Sequence, residues 1–440
     1  MTRQLHHIEN KLILSISYFR YIQIYHLPVA PPGRESYNRT VCAAGRILNS
    51  DRQAAGSGRM EIDMKLLKMI FKNETVFCIS FLLAVLSAFA VHPDRMYLSY
   101  PDYRTIALLF CLMIIVGGFQ SLGIFSMLGQ FLLRGAGSIR GLSAILVMLC
   151  FFSSMVITND VALITYVPFT LIVFRMSGRV ESVLKLVVLE TIAANLGSMA
   201  TPIGNPQNLY LYSIADFTAG EFVRAVLPYA GLAFVMLMAA VVIQRDEPLL
   251  DVAAGEENEV QKGELFRKML PFLFLLLLCL LVVFRVLPYQ PVLICVICVM
   301  LVVNRKLYLS VDYFLLLTFL CFFIFIGNMK RIPEISSFLV SVVDGRELLM
   351  GILTSQVISN VPAAILLSGF SSDLSALLKG VNVGGLGTLI ASLASLISFK
   401  FFAKEYPDKK GVYMVRFTIW NGIFLAVLIA EALLLGNIFG

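Results

Sequence analysis

Residues 193–213 read AANLGSMATPIGNPQNLYLYS and lie between apolar runs that would each occupy part of a membrane. Hydrocarbon offers no hydrogen-bond partners. A backbone interrupted by Gly197, Pro202, Gly204 and Pro206 is therefore tolerated there only where protein, water or ligand satisfies the freed N–H and C=O groups. This restricts the chain to folds in which a helix stops inside the bilayer. The bilayer itself follows from composition: 58% of the 440 residues are hydrophobic, 14% are charged, and mean hydropathy is +0.84. The runs Thr75 to Val91, Thr105 to Leu122, Phe222 to Ile243, Met269 to Phe284, Pro291 to Val303, Tyr313 to Ile326 and Val412 to Leu435 are the clearest crossing segments. The expected fold class is an all-α polytopic membrane protein.

Lys and Arg number 35 against 28 Asp and Glu, and this excess reads as topology signalling in short loops, not as a nucleic-acid surface. The eight cysteines fall mostly inside apolar runs and read as packing residues, with neither a disulfide nor a metal site indicated. The chain carries no GxxxxGK[ST], HExxH or GxSxG motif, which argues against pumps, membrane proteases and enzymes generally. The expected energy source is an ion gradient, with no cofactor beyond sodium or a proton as coupling ion. Residues 1–62 differ in character, with mixed polarity and no signal-peptide pattern. They read as a poorly ordered tail and an overextended gene start, the true start being at Met60 or Met64.

The chain also contains itself twice. Asp102, Tyr103, Cys111 and Gly117 recur as Asp312, Tyr313, Cys321 and Gly327 at one offset; ITNDVALI (157–164) answers ISNVPAAI (358–365); NLGSMATPIGN (195–205) answers NVGGLGTLIAS (382–392). Repeated halves with interrupted apolar segments in matching places point to a secondary transporter with its site at the membrane midplane. The stretches around Asn159 and Asn360 read as re-entrant hairpins and the two longer motifs as broken helices. With about nine crossings, odd parity makes the two repeats inverted. The expected layout is a first repeat over 63–244, a cytoplasmic linker over 245–268, and a connecting helix with the second repeat over 269–440. Loop charge places the N-terminus in the cytoplasm and the C-terminus outside.

Helix N-termini attract anions, whereas free carbonyls and Asn, Ser or Thr oxygens suit a hard cation. At the first tip stand Thr158, Asn159 and Asp160, ahead of a helix expected from Val161; at the second stand Ser359 and Asn360, ahead of Val361 and Pro362. Both are also good N-cap arrangements. The first break supplies oxygens from Asn195, Thr201, Asn205 and Asn208, with Gly197, Pro202 and Gly204 shaping the turn. The second supplies Asn382, Thr388, Ser392 and Ser395, with Gly384, Gly385 and Gly387 breaking the chain. Asp160 reads as a cation ligand, a proton carrier or a capping carboxylate. Glu190 reads either as a proton relay or as a structural partner of Lys185 or a nearby arginine.

At these residues the chain resembles the ion transporter superfamily of citrate transporters, sodium/dicarboxylate symporters, arsenite permeases and sodium/proton antiporters. TNDVALITYVPF, NLGSMATPIGNPQNL, SQVISNVPAAILLS and VNVGGLGTLIASLASLI carry the resemblance, which runs from about Val76 to the C-terminus. It implies two inverted repeats, a dimerising scaffold and a mobile transport domain that carries the hairpins in an elevator motion. Relatives with Ser-Asn-Thr triplets at both tips bind sodium and carboxylate there; here Asp160 and Val361 replace the final hydroxyl. The expected substrate is a small anion, citrate-like, held by amides and hydroxyls because no Lys or Arg lies in the motifs. Sodium ligands are expected at Asn159, Asp160 and Asn360. The expected partners are the lipid bilayer and a second copy of the chain, with no nucleic acid, in a bacterial inner membrane.

Overall fold

The computed structural model describes residues 74–125, 127, 138–175, 180–215, 217–243 and 262–439. The expected N-terminal tail lies outside the described residues, as does most of the linker. Among them, sixteen α-helices and three short 3-10 turns are present and no strand, so the molecule is an all-α polytopic membrane protein. In the first half these are α1 (Thr75–Ala90), α2 (Tyr103–Ser121), α3 (Ile139–Ile157), α4 (Asn159–Arg175), α5 (Val180–Ser198), α6 (Pro206–Ile214) and α7 (Ala219–Val242). The connecting helix α8 (Lys262–Val283) starts inside the stretch assigned to the linker. The second half comprises α9 (Tyr289–Val303), α10 (Tyr313–Lys330), α11 (Pro333–Val343), α12 (Glu347–Ile358), α13 (Asn360–Ser368), α14 (Leu374–Val383), α15 (Leu393–Glu405) and α16 (Lys410–Phe439).

The repeated sequence marks become repeated local structure. Asp102 caps α2 by accepting the amides of Arg104 and Thr105, and Asp312 caps α10 by accepting that of Leu315 at 3.0 Å. Gly117 of α2 lies so close to Ser310 that a β-carbon would overlap it, and Gly327 of α10 lies equally close to the Tyr100 ring. Ser310 and Tyr100 lie in the corresponding turns ahead of α10 and α2, so each half lays its glycine helix on the turn of the other.

Among the described residues, six helices are long and apolar enough to cross a bilayer: α2, α3, α7, α8, α10 and the last helix. α1 and α9, read as crossings, have 16 and 15 residues and fall slightly short by length alone. α3, read as a hairpin arm, has 19 residues and could reach across, while its counterpart α12 has 12 and cannot.

Packing interleaves the halves. The re-started helix α15 packs against α4 and α5 of the first half, and α6 packs against α13 and α14 of the second. Two buried clusters result: one is built mainly by α3, α4, α5, α7, α15 and α16, the other by α2, α6, α8, α9, α10, α13 and α14.

Candidate functional site

α5 ends at Ser198 and the chain resumes helix at Pro206; α14 ends at Val383 and resumes at Leu393. Asn195 in the last turn of α5 is 5% exposed. Its Oδ1 accepts the Ser392 hydroxyl at 3.0 Å and its Nδ2 donates to Ser395 Oγ at 3.2 Å. Asn382 in the last turn of α14 mirrors this: its Oδ1 accepts Asn205 Nδ2 at 3.2 Å and its Nδ2 donates to Asn208 Oδ1 at 2.7 Å. In the sequence repeat Asn195 matches Asn382, Asn205 matches Ser392 and Asn208 matches Ser395. Every contact therefore occurs twice with the halves exchanged, the signature of a two-fold relation. Ten residues forward from Asn195 to Asn205 is ten residues back from Ser392 to Asn382, so the two broken stretches run antiparallel past each other.

The hairpin tips show the same duplication in the backbone. Thr158 has φ 72° and ψ 152°, and Ser359 has φ 77° and ψ 155°. Residues with a β-carbon rarely adopt this region, at about 1–3 kcal/mol each, so its recurrence at matching tips marks imposed geometry. Both tips rest on the breaks. Asn159 Nδ2 donates to Asn195 Oδ1 at 3.1 Å, and the Asn360 amide donates to the Ala391 carbonyl at 2.9 Å. Thr201 Oγ1 donates to the Met155 carbonyl and Thr388 Oγ1 to the matching Gln356 carbonyl.

The structure thus brings Asn159, Asn195 and Ser392 into one buried cluster and Asn205 with Asn382 into another, with Thr201 and Thr388 tying the breaks to the hairpin arms. Gly197 meets the Phe151 carbonyl, Gly204 the Ser198 carbonyl and Gly384 the Ile352 backbone so closely that none accommodates a β-carbon; Pro202 is buried in the turn. Asp160 is half-buried in the first turn of α4, its amide donating to Asn159 Oδ1 at 3.0 Å. Asn159 and Asn360 are not N-caps: the helices begin at these residues, two positions earlier than Val161 in the first case, and Ser359 makes no capping bond. The strained residue before each asparagine turns the chain sharply enough for the helix to start at once.

One residue escaped sequence reasoning. Gln356 of α12 donates from Nε2 to the Gly384 and Leu386 carbonyls, both at 2.9 Å, and accepts the Thr388 amide at 2.9 Å, so it satisfies the backbone of the second break. In the first break Asn208 has that task, its Nδ2 facing the carbonyls of Ser198, Met199 and Thr201 at 3.0–3.3 Å. A carboxamide three residues ahead of the tip was the available signal. Glu190 does not pair with Lys185. It accepts Thr170 Oγ1 at 2.5 Å, while Lys185 donates to the Ala240 carbonyl and lies 5.2 Å over the Trp420 ring.

Chemically, the N-cap residues of α6 and α15, Asn205 and Ser392, donate from their side chains to Asn382 and Asn195, which sets the partial positive charge of two helix N-termini beside these asparagines with no Lys or Arg among them. A family profile described as Citrate transporter matches residues 66–374. The chain belongs to the citrate transporter family. This family member is accordingly a membrane-embedded, multi-pass transporter with a small substrate, and not an enzyme. It is 31% identical over 336 residues to an uncharacterized transporter of Methanocaldococcus jannaschii, covering 75% of this chain and 89% of that one. It is 32% identical over 302 residues to an inner membrane protein of Escherichia coli, covering 68% and 80%. A silicon efflux transporter of Oryza sativa matches at 30% over 165 residues, 37% of this chain and 33% of that one.

Proposed function

We propose that this citrate transporter family member is a secondary active transporter moving a small anion, an organic carboxylate such as citrate, coupled to sodium or protons by elevator-type alternating access. The observation that carries the reading is the reciprocal clasp of Asn195 on Ser392 and Ser395 and of Asn382 on Asn205 and Asn208. It fixes the N-terminus of α6 against the end of α14 and that of α15 against the end of α5, with the Asn159 tip held to Asn195, and the positive ends of two helices suit a carboxylate. The halves 63–244 and 269–440 are the inverted repeats of the mechanism, in a homodimer in the bacterial inner membrane with its N-terminus inside and C-terminus outside.

The test is uptake of labelled citrate by proteoliposomes under an inward sodium or proton gradient. Concentrative uptake is expected, and gradient-independent flux at channel rates would overturn the reading. Asn159→Ala and Asn360→Ala are each expected to abolish uptake while the protein stays in the membrane; Asp160→Asn is expected to alter coupling-ion or pH dependence more than folding. A second reading, export of a small inorganic oxyacid as in arsenite-type permeases, draws on the likeness to the rice silicon efflux transporter. A sodium/proton antiporter leaning on Asp160 is the further alternative. Vesicles loaded with silicate or arsenite separate the former, and pH-dependent sodium efflux without an organic substrate the latter.

A further inference from the structure

We infer that Glu190 is the site at which this transporter binds and releases a coupling proton, an inference that rests on the secondary-transport reading above. Glu190 lies on α5, fully buried in the cluster that α3, α4, α5, α7, α15 and α16 build. Its Oε1 accepts the Thr170 hydroxyl of α4, and its Oε2 has no hydrogen-bond partner. Among the described residues the groups facing it from the packed helices are uncharged: Thr170 from α4, Cys150 from α3 and Tyr413 from α16. On α7, Tyr229 is within electrostatic reach of Glu431 of α16. On α15, Ser398 bonds the Ala394 carbonyl, and Lys400 and Lys404 are exposed. The charges on its own helix are turned to other partners, Lys185 to the Ala240 carbonyl and Glu181 to Arg416.

A buried carboxylate with one hydrogen bond and no counter-charge is destabilised by the loss of its hydration, and a proton removes that cost. The proton is therefore the ligand this site takes. Glu190 precedes Asn195 by five residues on one helix, about 7.5 Å along its axis. Its hydrogen bond reaches α4, whose first residue, Asn159, donates to Asn195. Charge at Glu190 thus acts on the α4–α5 contact that seats the hairpin tip. The proton enters on the face of higher proton potential when water reaches α4 and α5, and leaves from the carboxyl on the opposite face.

The experiment uses the full-length purified protein in two assays. In infrared spectra recorded across pH without substrate, a titrating protonated-carboxyl band is expected in the parent and missing in Glu190→Gln, which keeps an acceptor for Thr170. In proteoliposomes, Glu190→Gln is expected to lose citrate accumulation driven by an inward proton gradient and to retain citrate–citrate exchange. Retained proton-driven accumulation, a band unchanged in the variant, or parent uptake driven by sodium and indifferent to pH would each overturn the inference. If the parent moves no citrate, the substrate reading falls and the infrared titration alone decides Glu190. If Glu190→Gln fails to fold, Thr170→Val replaces it: a shifted band supports the site, and an unshifted one overturns it.

Discussion

Asn382 joins two buried side-chain groups that lipid cannot satisfy, Asn205 Nδ2 and Asn208 Oδ1. Removing its carboxamide takes a partner from Asn208 Oδ1 and from Asn205 Nδ2, both buried. Each buried group left short costs about 1–3 kcal/mol. Asn382→Ala is therefore expected to lower the thermal unfolding temperature in detergent clearly. Asn195→Ala is expected to lower it at least as much, because it also releases the Asn159 tip; parent-like melting of either would show the clasp to be dispensable. A contrasting residue lies outside the membrane-spanning segments. The Arg331 guanidinium, 2.8 Å from Asp94, holds that carboxyl below its ordinary value. Its contribution is thus complete at neutral pH and is lost as pH falls below about 4 through the folded-state value. Asp94→Asn should melt slightly earlier than the parent at pH 7 and converge with it in strong acid. Such pairings could not be read in the sequence, since nothing in the spacing of Asp94 and Arg331 links them.

At the level of the helix, close approach explains why small residues recur. A β-carbon at Gly197 would overlap the Phe151 carbonyl, and one at Gly384 would lie 2.8 Å from Ile352 Cα, so α5 on α3 and α14 on α12 pack backbone to backbone. Backbone cannot step aside as a side chain does, and overpacking of this kind costs about 1–3 kcal/mol or more. Gly197→Ala and Gly384→Ala are expected to reduce folded yield, measured by size-exclusion profile of a detergent extract. Gly231→Ala on α7, where nothing lies within 4 Å, should match the parent or exceed it. Most helices were legible because apolar runs between caps and prolines leave little choice. The limits of α4 and α13 were not: positive-φ joints at Thr158 and Ser359 are invisible in residue type, so the helices begin at the asparagines that looked like caps.

For the molecule as a whole, the loop-charge reading gives a direct test. A C-terminal alkaline phosphatase fusion is expected to be active and a C-terminal green fluorescent protein fusion dark; the reverse pattern would put the C-terminus inside. The doubling of the chain was readable because NLGSMATPIGN and NVGGLGTLIAS kept enough identities. That the copies grip each other was not, since antiparallel passage depends on which helix packs on which. Gln356 carried only its nearness to the tip as a signal, because the repeat gives it no counterpart carboxamide on α3: its matching position is Met155.

The reciprocal clasp has a consequence for synthesis. Its bonds join residues 174 to 200 positions apart in the chain. At about 5–20 residues per second, Asn195, Asn205 and Asn208 wait on the order of 10–40 s before their partners leave the ribosome. Throughout that interval the first half is an unfinished membrane domain with amides that lipid cannot accept. It must be held near water or by the insertion machinery until the second half arrives to close it.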